Sequence, residues 1–415
     1  MIAPRTGAAA AAVTVVGRIA ATLADPHRAA AAHRGGRPWP QSLAGGAAGI
    51  ALLHIERARS GHGEDRTAHA WLTAAVQAPL STAGNAGLFY GAPCLAFAVH
   101  AACSGERHYR EARARLHAAT CAITTTRLRA AHARIDRGER PALKEFDLIR
   151  GLAGLSAYHL AFHPGHPLTT ATLSYLVRLT TPLKGGDVFP PWWTGLAPTG
   201  EPDPDAYPQG HGNLGLSHGI GSALAVLCLA IRRGVHVPGA DEAAGRICAW
   251  IDRWRQPGQS GTWWPGLICA AQARAEAIAP HRRPRPSWCY GIAGTARAQQ
   301  LAGLALGDAG RVQAAEEAML AVLRDPAQVE LLDGIGLCHG KAGLLQSAWR
   351  MAADARTPHI ASELGSLADA LAEDLARPAD DFELLDGAAG AALALHTIGT
   401  GAAPASRWDS VLALA

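Results

Sequence analysis

Seven times along the chain a short glycine-bearing stretch opens into an apolar run, and the segments between the runs are rich in alanine, leucine and arginine. The runs read "AGGAAGIALLHI" from Ala44, "LFYGAPCLAFAV" from Leu88, "DLIRGLAGLSAYHL" from Asp147 and "LSHGIGSALAVL" from Leu216. They continue with "WCYGIAGTARAQ" from Trp288, "LCHGKAGLLQSA" from Leu337 and "LLDGAAGAALAL" from Leu384. The first glycines, Gly46, Gly91, Gly151, Gly219, Gly291, Gly340 and Gly387, stand 45 to 72 residues apart. Each interval has room for two helices and their connections, and a recurrence of this length is the mark of a repeat architecture. Every unit starts on Gly-x-x-Gly, except that Cys94 and Ser222 replace the second glycine in two copies. Glycine at a helix start lets the backbone pass close to a neighbour and accept dihedrals that other residues resist. The intervening segments 62–80, 106–135, 312–324 and 360–377 read as partner helices.

The predicted class is therefore all-α: seven helical hairpins, stacked as an open solenoid or closed into a ring. In a closed α/α barrel the glycine-rich starts of the inner helices would point to one end and line a pit. Two intervals depart from helix. Residues 184–215 ("KGGDVFPPWWTGLAPTGEPDPDAYPQGHGN") and 255–288 are dense in Pro, Gly and Trp, which regular helices do not tolerate. We expect a single domain over residues 1–415, with 184–215 as a loop or small lobe at the mouth of the pit. The tryptophans of these stretches either pack the loop or meet a peptide.

Composition agrees. Hydrophobic residues make up 49% of the 415, enough for a large core, and the scarcity of β-branched residues favours helix over sheet. A formal charge of +4 gives no reason to expect nucleic-acid binding, which needs a concentrated basic face. The basic stretch 106–140 reads as a solvated helix face or a docking surface for a partner. No segment has the roughly 18 uninterrupted apolar residues of a membrane span. The alanine-rich N-terminus, interrupted by Arg18, reads as a first helix and not as a signal peptide. The eight cysteines are scattered with no CxxC pair, which implies free thiols and a reducing, cytoplasmic setting.

Candidate chemistry sits just ahead of the glycines. Cys338 and His339 precede Gly340, Cys289 and Tyr290 precede Gly291, His218 precedes Gly219, and Asp147 lies four residues before Gly151. In a ring these positions converge at one end. Two thiolates and a neutral imidazole make a three-ligand set for Zn²⁺ that leaves a fourth position open, as catalytic zinc sites do. A thiolate near a helix N-terminus also gains from the partial positive charge there. His211, His281 and His396 lie outside this register and read as ordinary polar residues.

The stretches "NLGLSHGIGS", "SWCYGIAG" and "LCHGKAGLL", together with "FDLIRGLAGL" upstream and "WWPG" ahead of the Trp-Cys-Tyr-Gly motif, resemble the lanthionine synthetase C-like (LanC) family of cyclases. The likeness runs from about residue 40 to residue 396. It implies an α/α toroid of seven repeats with one zinc ion per chain on Cys289, Cys338 and His339. It also implies His218 and Asp147 as active-site residues and Tyr290 and Arg285 as polar residues beside the metal, with Arg283 an alternative to Arg285. Gly221-Ser222 stand where the family has Pro-Gly.

The implied reaction adds a cysteine thiol to dehydroalanine or dehydrobutyrine in the same peptide, closing a thioether ring. The partners implied are a dehydrated precursor peptide with a leader and a separate dehydratase. Two other functions fit the same residues less fully. One is a LanC-like enzyme that adds glutathione to dehydroamino acids, and the other is a non-catalytic toroid that binds peptides. A glycan-processing α/α barrel would need paired carboxylates, and only Asp147 stands at such a register.

Overall fold

The computed structural model describes residues 6–32, 40–105, 107–183, 188–258, 261–278, 283–377 and 381–415. In chain order the first helices are α1 (Thr6–Thr22), α2 (Pro26–Ala32), α3 (Ala47–Arg59), α4 (Asp65–Ala75), α5 (Ala92–Ala101) and α6 (Arg110–Asp136). Then come α7 (Leu143–Phe146), α8 (Leu152–Phe162), α9 (Pro167–Leu179), α10 (Ile220–Arg232), α11 (Ala240–Arg253) and α12 (Ala270–Ala275). The last six are α13 (Ile292–Leu306), α14 (Ala309–Leu323), α15 (Pro326–Val329), α16 (Lys341–Asp354), α17 (His359–Asp374) and α18 (Ala388–Thr400). Two three-residue strands, β1 (His211–Asn213) and β2 (Leu267–Cys269), pair antiparallel.

Each of the seven repeat glycines is the N-cap of a helix: Gly46 of α3, Gly91 of α5, Gly151 of α8, Gly219 of α10, Gly291 of α13, Gly340 of α16 and Gly387 of α18. The reason is close approach more than unusual dihedrals. Six of the seven have ordinary extended backbone, and Gly91 alone sits at positive φ, +74°. In α16, a Cβ on Gly340 would lie 2.3 Å from the Gly334 carbonyl oxygen, and on Gly387 a Cβ would meet the Glu383 nitrogen at 2.2 Å. The loop doubles back beneath the cap, and any side chain would force it away.

Helices that follow these caps are buried nearly all round. Every residue of α10 from Ile220 to Ala230 is buried, as is every residue of α18 from Ala388 to Ile398, the pattern of a helix inside a core. The partner helices are amphipathic. In α11 the buried positions Ala240, Ala243, Ala244, Ile247, Cys248, Trp250 and Ile251 repeat at helical spacing, so one stripe packs inward and Asp241, Glu242 and Arg253 face out.

The contacts divide the chain into two compact units. The first comprises Met1–Thr120 and Val322–Asp409. Its hairpins pair α3 with α4, α16 with α17, and α18 with α1. The last repeat thus takes its partner from the first helix of the chain, a pairing that local sequence gives no sign of. Buried Glu56 ties this unit together: its carboxylate accepts from the Ala405 and Ser406 backbone N–H groups and from the Ser406 hydroxyl. Asp409, fully buried, takes the Arg350 guanidinium at 2.5 and 2.8 Å.

The second unit comprises Cys121–Ala321 and Ser410–Ala415. Here α8 packs on α9, α10 on α11, and α13 on α10. Arg297 of α13, 2% exposed, donates from Nε and Nη2 to the Leu414 carbonyl, and the Trp288 indole donates to the Leu412 carbonyl.

The described part of the 184–215 interval, residues 188–215, holds no helix and contributes β1. Residues 184–187 lie outside the described residues, as does His281. The 255–288 interval differs from expectation in one respect. It contains the short helix α12, which a local device makes favourable: Cys269 caps it, and the Gln272 side chain returns a hydrogen bond to the Cys269 N–H.

Candidate active site

Main-chain hydrogen bonds set equivalent loop positions side by side within each unit. In the second unit the Leu148 N–H donates to the Ser217 carbonyl, and the Leu216 N–H donates to the Cys289 carbonyl. In the first, the Leu384 N–H donates to the Ala44 carbonyl, and the Leu43 N–H to the Phe89 carbonyl. Each bond runs from the residue three before one cap glycine to the residue two before the next. The repeat register is thus also a spatial register, and residues just ahead of the glycines share one level in neighbouring loops.

In the second unit this brings Asp147, His218 and Tyr290 together. The His218 Nδ1 lies 2.6 Å from Asp147 Oδ2. The Asp147 carboxyl is 1% exposed, while the His218 ring is 30% exposed. Asp147 Oδ1 accepts from the backbone N–H groups of Arg150 and Gly151, both at 2.7 Å, at the start of α8. Oδ1 is taken up by the two backbone donors and Oδ2 faces Nδ1 of His218, so a proton on Nδ1 would be held by Asp147 and Nε2 left for chemistry. Tyr290 stacks on His218 at 6.4 Å and 29°. Its ring fits only because Gly215 lacks a side chain, where a Cβ would come within 2.7 Å. Burial pushes the Tyr290 phenol above its ordinary pKa, partly offset by hydrogen bonding from Asn213 and Ser217.

In the first unit Cys338 and His339 occupy the turn before α16, both half-buried, and the Cys338 N–H is held by the Leu385 carbonyl at 2.8 Å. The His339 Nδ1 lies 3.3 Å from Asp386 Oδ1. In the second unit Cys289 stands in the equivalent turn before α13, two residues ahead of its cap glycine as Cys338 is ahead of Gly340. Two thiols and an imidazole form a donor set suited to a soft or borderline divalent ion. The His339 ring faces Asp386 through Nδ1, the kind of carboxylate–histidine contact that commonly orients metal-bound imidazoles.

Arg285 is exposed, on the stretch that leads into buried Trp288, and Arg283 is half-buried. Asp386 is not among the residues expected at the site. The signal was present, because Asp386 immediately precedes Gly387, the position that His218, Tyr290 and His339 hold in their own copies. His396 and His211 are buried in α18 and β1.

A family model described as "Lanthionine synthetase C-like protein" matches residues 37–413, so the chain belongs to the lanthionine synthetase C-like family. Among curated proteins it is similar to "Nisin biosynthesis protein NisC" of Lactococcus lactis subsp. lactis, 25% identical over 206 residues, which is 49% of this chain and 48% of the relative. That alignment spans about half the length of the curated relative. Among solved structures it is similar to "Nisin cyclase", with a TM-score of 0.77 and 20% identity over 96% of each chain. This likeness shows the fold: an all-α chain of the α/α-toroid class. Among the described residues no helix is long and apolar enough to cross a membrane.

Proposed function

We propose that this chain is a zinc-dependent lanthionine cyclase, which adds cysteine thiols of a dehydrated precursor peptide to dehydroalanine or dehydrobutyrine and so closes (methyl)lanthionine rings. The observation that carries the reading is the repeat register that sets Cys289, Cys338 and His339 just ahead of the cap glycines Gly291 and Gly340, in a chain of the lanthionine synthetase C-like family. These three residues would hold one zinc ion. Bound there, zinc would supply Lewis acidity that keeps a thiol, with an ordinary pKa near 8.5, ionised at neutral pH.

The reaction balances without loss of atoms. The thiol gives up its proton, and its sulfur bonds to the β-carbon of the dehydroamino acid. The alkene π pair moves onto the enolate, and the α-carbon then takes a proton. His218 is the residue suited to move that proton through Nε2, because Asp147 holds its Nδ1. Asp147 orients the ring and does not exchange protons itself, since both its oxygens are engaged and it is shut off from solvent. Tyr290 remains a neutral donor beside the ring and is suited to the developing enolate oxygen. Arg285, or Arg283 in its place, would add positive charge at the rim. We place the reaction in the cytoplasm, on peptide delivered with its leader by a separate dehydratase. All eight cysteines are free thiols, which suits that setting.

The test is incubation of the zinc-loaded chain with a dehydrated, cysteine-containing peptide, with thiol loss followed by alkylation and mass spectrometry. Thioether formation well above the spontaneous rate is expected. Consumption of added glutathione while the peptide thiols stay intact would replace ring closure with glutathione addition. No acceleration with either thiol would overturn the enzyme reading.

A further inference from the structure

In the second unit a crevice of about 360 Å³ opens where the end of α11, the middle of α13 and the start of α14 meet, and none of the turn residues described above lines it. Its polar lining is Asp252, Arg255, Trp264, Gln299, Asp308 and Arg311. The acceptors of this set are already used. Arg311 donates to both oxygens of Asp252, at 3.0 and 2.7 Å, and its Nε lies 3.4 Å from Asp308 Oδ2. The Gln299 side-chain oxygen accepts from Arg311 as well, and Asp308 Oδ1 accepts from the Arg311 backbone N–H at 2.9 Å.

The donors are not used. Gln299 is 2% exposed and Trp264 4% exposed, yet among the described residues neither the Gln299 amide nitrogen nor the Trp264 indole N–H has an acceptor. Arg255 is exposed, and among the described residues its guanidinium pairs with no carboxylate, since Asp252 and Asp308 are both held by Arg311. Burying a donor without an acceptor is costly. Two such donors in one crevice, beside a guanidinium that is not engaged, ask for a ligand made of acceptors.

Charge decides which one. The lining carries two arginines and two aspartates, so its formal charges cancel. One negative charge can sit on Arg255, whose planar fork matches a carboxylate. A phosphate, close to doubly charged at neutral pH, would also face the two aspartates. The indole and amide N–H groups are neutral donors and suit a carbonyl oxygen. The volume suits a small group more than a folded surface.

We propose that this crevice binds a carboxylate flanked by an amide carbonyl, the chemistry shared by an N-acylated amino acid and the last residue of a peptide. The proposal is independent of the cyclase reading and involves no reaction, so binding alone tests it.

The experiment is saturation-transfer NMR on the full chain with N-acetylglycine and its twin N-acetylglycinamide, which keeps the amide and removes the charge. The acid should bind about tenfold tighter, as one hydrogen-bonded charge would give. Arg255→Gln, at an exposed position, should erase that preference, while Arg253→Gln, also exposed but outside the crevice, should keep it. Trp264→Phe removes the N–H and keeps an aromatic ring, and should weaken both probes by about threefold. Tetraglycine and its amide, used as competitors, separate the two sources. Displacement by the peptide acid admits a chain terminus, and displacement by N-acetylglycine alone restricts the site to small molecules. Equal binding of the two probes, no transfer to either at millimolar concentration, a preference that survives Arg255→Gln, or unchanged binding in Trp264→Phe would each overturn the proposal. Inorganic phosphate displacing the probe at a lower concentration than N-acetylglycine would reassign the crevice to phosphate and overturn it too.

Discussion

The turns before α10 and α16 are nearly identical as backbone, with cap glycines at φ −112°, ψ −177° and φ −108°, ψ −172°. Each places a histidine directly ahead of the glycine. In the first, the His218 Nδ1 is held at 2.6 Å by a carboxylate that is itself buried and fixed by two backbone donors. In the second, the His339 Nδ1 faces Asp386 at 3.3 Å, with both side chains more than a third exposed and a cysteine beside it. One turn thus carries a tightly oriented ring with a free Nε2 suited to moving protons. The other carries a looser ring whose neighbours suit it to a metal. The backbone decides where the imidazole stands, and the carboxylate behind it decides what the imidazole can do.

The largest expected effect comes from removing the donor set. Cys289→Ala and Cys338→Ala should each abolish stoichiometric zinc with helical content largely unchanged, as read by metal analysis alongside circular dichroism. Full zinc in both variants would end the assignment. Next is His218→Ala, which should retain about one zinc per chain while ring closure falls by about 10²–10⁴-fold, the usual span for a general acid–base group. Loss of zinc in that variant would make both histidines ligands and dissolve the comparison. Asp147→Asn should follow His218→Ala in direction, again with zinc retained.

Stability separates buried histidines from both of these turns. Burial lowers His54 and His396 to a pKa of about 4. Each is therefore neutral when folded at a pH where the unfolded chain, with a pKa near 6.5, already takes up a proton. The stability this protects is full above about pH 6.5 and is lost as the pH falls toward 4, by up to about 3 kcal/mol for each histidine. Urea midpoints at pH 7.5 and 4.5 should show the loss, and it should shrink in His396→Gln. An equal loss in that variant would place the acid sensitivity elsewhere. The smallest effect expected is in Asp386→Ala, where zinc affinity should weaken by about 10–100-fold with His218 chemistry intact at saturating metal. Unchanged affinity in a competition titration would show that Asp386 does not orient His339.

Much of this was legible along the chain because each repeat announces itself locally. A glycine where the loop must double back, followed by a run without charge, marks a buried helix and its cap, and all seven caps lie where the pattern puts them. The placement of His218 beside Asp147 was readable for the same reason, since register in a repeat is a coordinate in space. Asp386 stood in that register too, but in a copy otherwise made of small apolar residues, where packing explains the pattern sufficiently. The short helix α12 was hidden because its cap is a cysteine and its neighbours are prolines and tryptophans.

By itself, then, the sequence determined the helical class, the seven starts, the burial of the helices that follow them, and the residue types at the site. All of these depend on side-chain periodicity and on the steric needs of residues a few positions apart. Only the tertiary structure decided which residues act on one another. It set α1 against α18, turned Asp147 toward His218 across 71 residues of sequence, and tied the Trp288 indole to the Leu412 carbonyl. Those pairings arise where apolar faces distant in the chain exclude water together. The polar groups carried along are then left at distances that no local pattern encodes.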